Sequence, residues 1–173
     1  MGRDKALLLV DGRPMAERVA AAARAAGAVE VVAVGGDAGA LEALGLRYVP
    51  DLVPGAGPLP AVVAALGAVP GDAVLVLGCD LVAPSPGAMA EVVGALLADP
   101  GADVAVPVDN GGRRQWVHAA WRPRARGALA AAHRAGVRAL HRAVADLAVL
   151  DVPQLPADAL RDADVPGDLP EGR

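Results

Sequence analysis

The sequence predicts a three-layer α/β/α, Rossmann-like domain on a mostly parallel sheet. Three observations lead there. Short β-branched apolar runs alternate with helical stretches along the chain, the pattern of successive β–α units. The most apolar run, AVLVLG at 73–78, shows no in–out alternation, so it reads as a strand buried on both faces. Carboxylates or glycines stand directly after several runs, and open α/β sheets bind ligands outside the carboxyl ends of their strands.

The elements follow in order. Residues 14–27 (PMAERVAAAARAAG) predict a helix, with Pro14 suited to its first turn and Gly27 to its C-terminal cap. VEVVAV at 29–34 is a strand, 38–44 a short helix and LRYVP at 46–50 a strand. The turn PGAGP leads into a helix at 58–68, and the strand 73–78 precedes a helix at 86–98. Strands follow at 103–108 (DVAVPV) and 116–121 (WVHAAW), then helices at 123–135 and 137–145 and a last strand at 147–152. No repeat or linker interrupts the 173 residues, so a single domain is expected over 1–173.

Composition narrows the class. Apolar residues make up 54% but aromatics only 2%, with no Phe, so the core must be closely packed Ala, Val and Leu. The net charge of −4 argues against a general nucleic-acid binder. One cysteine, Cys79, excludes an internal disulfide and suits a reducing cytosol. No run of about 18 uninterrupted apolar residues predicts a membrane span, and the charged start does not read as a signal peptide. The expected location is cytoplasmic.

Chemistry-bearing residues collect at strand ends. Gly35-Gly36-Asp37 follows one strand, Asp51 and LVPGAGPL another, and Cys79-Asp80 a third. Lys5 is the sole lysine beside fifteen arginines, a compact, strongly hydrated cation in a chain that otherwise uses guanidinium. Together they form an acidic edge plus a cation, as nucleotide chemistry requires. Mg²⁺ is commonly held by one or two carboxylates with substrate phosphates and water completing its octahedron, and a lysine neutralises charge on phosphoryl oxygens.

Each residue also has a plainer reading. Asp80 suits a helix N-cap, Asp51 a turn and Gly57-Pro58 simple punctuation. Gly35-Gly36-Asp37-Ala38-Gly39 is not G-x-G-x-x-G and reads as a loop. Arg134, Arg138 and Arg142 are spaced i, i+4, i+8, a stripe that reads first as a solvated helix face. His118 and His133 lack metal-ligand spacing and read as structural, Met15 and Met89 as packing residues, and Cys79 as an inert buried thiol.

Four segments, MGRDKALLLVDGRPM, VPDLVPGAGPLPAVVAAL, VLVLGCDLVAP and DADVPGDL, stand in this order along the chain. Together the sequence resembles the molybdenum cofactor guanylyltransferases, members of the glycosyltransferase-A-like nucleotidyltransferases. The resemblance implies that Lys5 contacts phosphate, that Gly2, Gly35, Asp51, Gly57 and Pro58 line the nucleotide, and that Asp80 binds Mg²⁺. In the closing segment it implies a second metal contact from Asp164. Against the family pattern, Met1 stands where the loop Met stands. The chain is therefore expected to lack the family's first strand and the Gly-Gly half of its phosphate loop. Where many members have Asn after the second strand, this chain has Val34-Gly35, and RRQWVHAAWR replaces a His-Pro-containing strand.

The implied reaction is transfer of GMP from GTP to molybdopterin with loss of pyrophosphate, by a monomer that binds neither nucleic acid nor membrane. Lys5 and Asp80 are the catalytic candidates. The alternatives are a sister transferase using CTP with molybdopterin, or GTP with phospholactate, and a non-catalytic nucleotide-binding relic.

Overall fold

The computed structural model describes residues 5–153 together with Leu155, Pro156 and Ala159. A 3₁₀ turn at Lys5–Leu7 leads into a hairpin of β1 (Leu9–Val10) and β2 (Arg13–Pro14). Asp11 and Gly12 turn it, both at positive φ, 53° and 74°, the conformation that a two-residue hairpin favours and an Asp-Gly pair supplies. Helix α1 (Met15–Ala25) follows, with Pro14 as its N-cap rather than inside its first turn. It ends as expected, with Gly27 at φ 100° just beyond the cap.

Next come β3 (Val32–Val34), α2 (Ala38–Ala43), β4 (Arg47–Val49), α3 (Pro58–Ala68) and β5 (Val74–Leu75). After these come α4 (Pro86–Ala98), β6 (Val104–Pro107), β7 (Ala120–Trp121), α5 (Arg126–Arg134), α6 (Leu140–Ala143) and β8 (Val149–Val152). The segment expected as one strand at 116–121 is a 3₁₀ turn, Trp116–His118, followed by only two strand residues. The helix expected at 123–135 opens as a 3₁₀ turn, Pro123–Ala125. Gly136 at φ 91° then ends α5. The helix expected at 137–145 is thereby cut to a single turn, α6.

Beside the hairpin there are two sheets. β3 and β4 pair in parallel, Val32 opposite Arg47. The other sheet has the order β5–β7–β6–β8. In it β7 runs antiparallel to β5 and β6, while β6 and β8 are parallel, Val104 opposite Val149. The fold is the expected α/β class, with a mixed sheet because β7 runs against its neighbours. Two helical layers cover it. On one face Val74, Val104, Val106 and Trp121 pack with Leu59, Val62, Val63 and Leu66 of α3 and Leu129 of α5. On the other, Ala105, Ala120 and Val152 pack with Ala88, Val92 and Leu96 of α4.

Among the described residues β3 and β5 belong to different sheets. Both are nevertheless held in one body by the helices. Val19, Ala22 and Ala23 of α1 form a cluster with Val31 on one side and Leu75 and Leu77 on the other. The run 73–78 was expected to be buried on both faces; of its residues only Val74 is fully buried. Residues 31–34 are likewise half-exposed. β3 and β5 are each an edge strand, with one side unpaired by any strand among the described residues.

Candidate active site

The chain reaches Lys5 in a tight turn whose Ala6 is buried against α1 and α2. From there the Lys5 ammonium meets the Asp80 carboxylate, Nζ to Oδ2 at 3.1 Å, across 75 residues of sequence. Asp80 lies just beyond the carboxyl end of β5. It is not the cap of the following helix. Ser85 takes that role, its Oγ accepting the Ala88 N–H at 3.4 Å. The two residues after Asp80 are anchored: Leu81 is 1% exposed among α1 and α4 side chains, and Val82 packs against Val10 and Met15. Met15 and Met89 are core residues, as expected.

A second group stands at the ends of β3 and β4. The Gly35 N–H donates to the Val49 carbonyl at 3.0 Å. A Cβ on Gly35 would lie 3.4 Å from the Asp51 Cβ, and the backbone there has φ 71°. Gly35 thus leaves room beside the Asp51 carboxylate. Asp51 also performs its plainer role, Oδ1 accepting the Val53 N–H at 3.2 Å to close a turn. Asp37 is an N-cap, accepting the Ala40 N–H at 2.9 Å, so the Gly35-Gly36-Asp37 stretch is a loop into α2, as read from its spacing. Gly57 caps α3 at φ 87°, with Pro58 at its first position. Pro60 also falls in that turn, so two of its residues carry no N–H. Gly2 and Asp164 lie outside the described residues.

Two expectations change. Cys79 is exposed rather than buried, because it sits past the end of β5 where the chain turns outward. Arg134, Arg138 and Arg142 do not share a helix face, since the helix ends at Arg134 and restarts at Leu140.

Other functional groups were not singled out in the sequence. The loop after β6 and the segment after β8 enclose a cavity of about 340 Å³, with an apolar floor of Val108, Leu155 and Pro156. Asp109, Asn110 and Arg113 rim it. The backbone N–H of Arg113 and then that of Gly111 bond the Asp109 carboxylate, with Gln115 and the Arg113 charge adding to them. These hold its pKa below the usual range. Beside the cavity Arg114 grips Asp151 through two bonds of 2.6 and 3.0 Å and lies 5.7 Å over the Trp116 ring. Nothing in the local pattern of RRQW announces the ion pair, because Asp151 lies 37 residues away.

The donors present suit a hard divalent cation only with help from substrate. No group of three or more His, Cys, Asp or Glu able to hold a metal occurs among the described residues. A lone carboxylate such as Asp80 is what Mg²⁺ takes when phosphates and water supply the rest.

A three-layer α/β fold with its charged residues at the carboxyl ends of the strands is the architecture of a nucleotide-handling domain. The family model of the MobA-like NTP transferase domain matches residues 1–161, and the chain belongs to that family. A probable molybdenum cofactor guanylyltransferase from Pelotomaculum thermopropionicum is 41% identical over 81 residues, 47% of this chain and 39% of the relative. The match thus spans just under half of this chain and about two-fifths of the relative's length. Among solved structures, molybdopterin-guanine dinucleotide biosynthesis protein A from Archaeoglobus fulgidus superposes with a TM-score of 0.72 at 20% identity, covering 88% of this chain and 76% of that one. The 2-C-methyl-D-erythritol 4-phosphate cytidylyltransferase from Thermus thermophilus superposes with a TM-score of 0.71 at 25% identity, covering 95% and 89%. These likenesses support the nucleotidyltransferase fold.

Proposed function

We propose that the domain transfers GMP from GTP to the terminal phosphate of molybdopterin, as a Mg²⁺-dependent cytoplasmic monomer. The observation that carries this reading is the Lys5–Asp80 pair at the end of β5. Family membership and the guanylyltransferase relative support it.

The pair is suited to re-partnering. Both side chains are partly exposed, 33% and 22%, and ion pairs of this kind contribute about 0–1 kcal/mol. Incoming phosphates therefore separate them at little cost. Lys5 then turns to the phosphoryl oxygens, and Asp80, with Asp164, would hold the metal. When bound, Mg²⁺ supplies neutralisation of the triphosphate charge. Gly35, Asp51, Gly57 and Pro58 shape the nucleoside side, and the family resemblance assigns Gly2 to the nucleotide as well. The cavity rimmed by Asn110 and Arg113 lies past the carboxyl end of β6, parallel to β5, and would seat the acceptor.

In the reaction an acceptor phosphate oxygen forms a bond to the α-phosphorus, the bond to the bridging oxygen breaks, and pyrophosphate leaves. The nucleophile is already anionic, so no general base is assigned. Positioning and charge neutralisation by the chain carry the catalysis.

Titration calorimetry with Mg²⁺-GTP tests this. Asp80→Asn is expected to weaken binding at least tenfold, about 1.4 kcal/mol, and unchanged affinity removes Asp80 from the site. Lys5→Arg is expected to lower turnover, because a fork of donors does not replace a point charge. Tighter binding of CTP than of GTP would move the assignment to a cytidylyl transfer.

A further inference from the structure

We propose that His118 is a positioning residue for Asp80. The inference rests on the reading of Asp80 as a phosphate and metal residue. The antiparallel ladder between β5 and β7 pairs Val74 with Trp121 and Leu75 with Ala120. One further backbone bond follows, from the Val76 N–H to the Ala119 carbonyl at 3.0 Å. In a regular ladder the next inward N–H, that of Gly78, would bond the carbonyl of residue 117. That carbonyl is lost to the ladder because the chain coils into the 3₁₀ turn Trp116–His118. The imidazole takes its place: the Gly78 N–H donates to His118 Nδ1 at 3.4 Å, a bond longer than the common range of about 2.7–3.2 Å.

The substitution extends the pairing of β5 to the residue two before Asp80. His118 is 1% exposed, so its ring is set by packing, and the bond it makes with half-buried Gly78 is partly buried. On the far side of Asp80, Leu81 and Val82 are anchored in the core. The carboxylate therefore projects from a short segment fastened at both ends, and His118 is the fastening on the strand side.

Three variants test this. In Asn the side-chain oxygen occupies the place of Nδ1, in Gln it reaches the place of Nε2, and Phe keeps the ring without an acceptor. His118→Phe and His118→Gln are expected to weaken Mg²⁺-GTP binding about fivefold and to speed hydrogen exchange of the Gly78 amide about tenfold. His118→Asn is expected to restore both to within about twofold of the unaltered protein. Binding and exchange unchanged in His118→Gln would overturn the proposal, as would equal impairment of Asn and Gln variants that melt like the parent. If the Phe variant does not fold, the Asn and Gln pair decides alone. Asp80→Asn serves as the reference. Unchanged binding in that variant sinks the function of Asp80, while the exchange of Gly78 still reports whether His118 holds the strand end.

Discussion

Strands β6 and β3 are both short, parallel-paired and rich in Val and Ala, yet they differ in what surrounds them. In β6, Val104, Ala105 and Val106 are each 0% exposed. β7 lies on one edge and β8 on the other, with α3 and α5 over one face and α4 over the other. In β3, Val32, Ala33 and Val34 are all half-exposed, although α1, α2 and α3 lie over its faces. One of its edges carries β4, and the other has no strand among the described residues. The difference teaches that helical cover alone does not seal a strand. A neighbour on each edge is also needed, since it both pairs the backbone and fills the space between the helical layers.

The contrast can be broken most strongly at its sealed end. Trp121, 0% exposed at the centre of the larger core, is expected to cost about 3–5 kcal/mol on replacement by Ala. Urea denaturation reads this as a lower midpoint. A loss no greater than that of a β3 substitution would mean that the two halves are equally packed.

The open end gives the next largest effect. A five- or six-residue apolar strand joined ahead of Met1, able to lie between β3 and β5, is expected to raise stability by about 2 kcal/mol, about 4–8 °C in Tm. The same extension with a central proline, which cannot join a ladder, is expected to give none of this. Equal melting of the extended and unextended proteins would show that the open edges of β3 and β5 do not limit stability.

Asp103 sharpens the comparison through pH. Its carboxylate accepts from Arg124 Nε at 2.6 Å and from the Ala148 N–H at 2.9 Å, tying β6 to β8 and to the turn before α5. Burial raises its pKa, but the Arg124 and Ala148 hydrogen bonds and the Arg124 charge outweigh this and leave it below 3.8. A depressed folded value means stability that is present above about pH 3.8 and lost as pH falls through the lowered value. Asp103→Asn is therefore expected to cost about 1–2 kcal/mol at pH 7. The gap from the parent should close in strongly acidic solution; a gap independent of pH would refute the ionic account.

The smallest effect belongs to the open side. Val32→Ala in half-exposed β3 is expected to cost less than about 1 kcal/mol, because only part of the removed surface was buried. A cost near that of Trp121→Ala would refute the openness of this edge.

Much of the fold was legible from residue order. Gly27, Pro58 and the apolar periods marked α1, α3 and α4 to within two residues, because a helix is specified by neighbours three and four apart. Carboxylates after β4 and β5 pointed to the candidate site, because strand ends are where side chains escape the packed layers. The resemblance of four segments named a family that the match over residues 1–161 bears out.

What only the tertiary structure decided involves residues far apart in sequence. Lys5 and Asp80 meet across 75 residues, and His118 reaches Gly78 across 40. No local period records such a distance. The strand expected at 116–121 became a turn because a bond to the Gln115 carbonyl, at 3.0 Å from His118 N, won over a longer ladder. Apolar character alone could not tell a sealed strand from an open one, since AVLVLG is equally apolar in either setting. Composition determined that these strands seek burial, and the neighbours supplied by the fold decided how much of it each received.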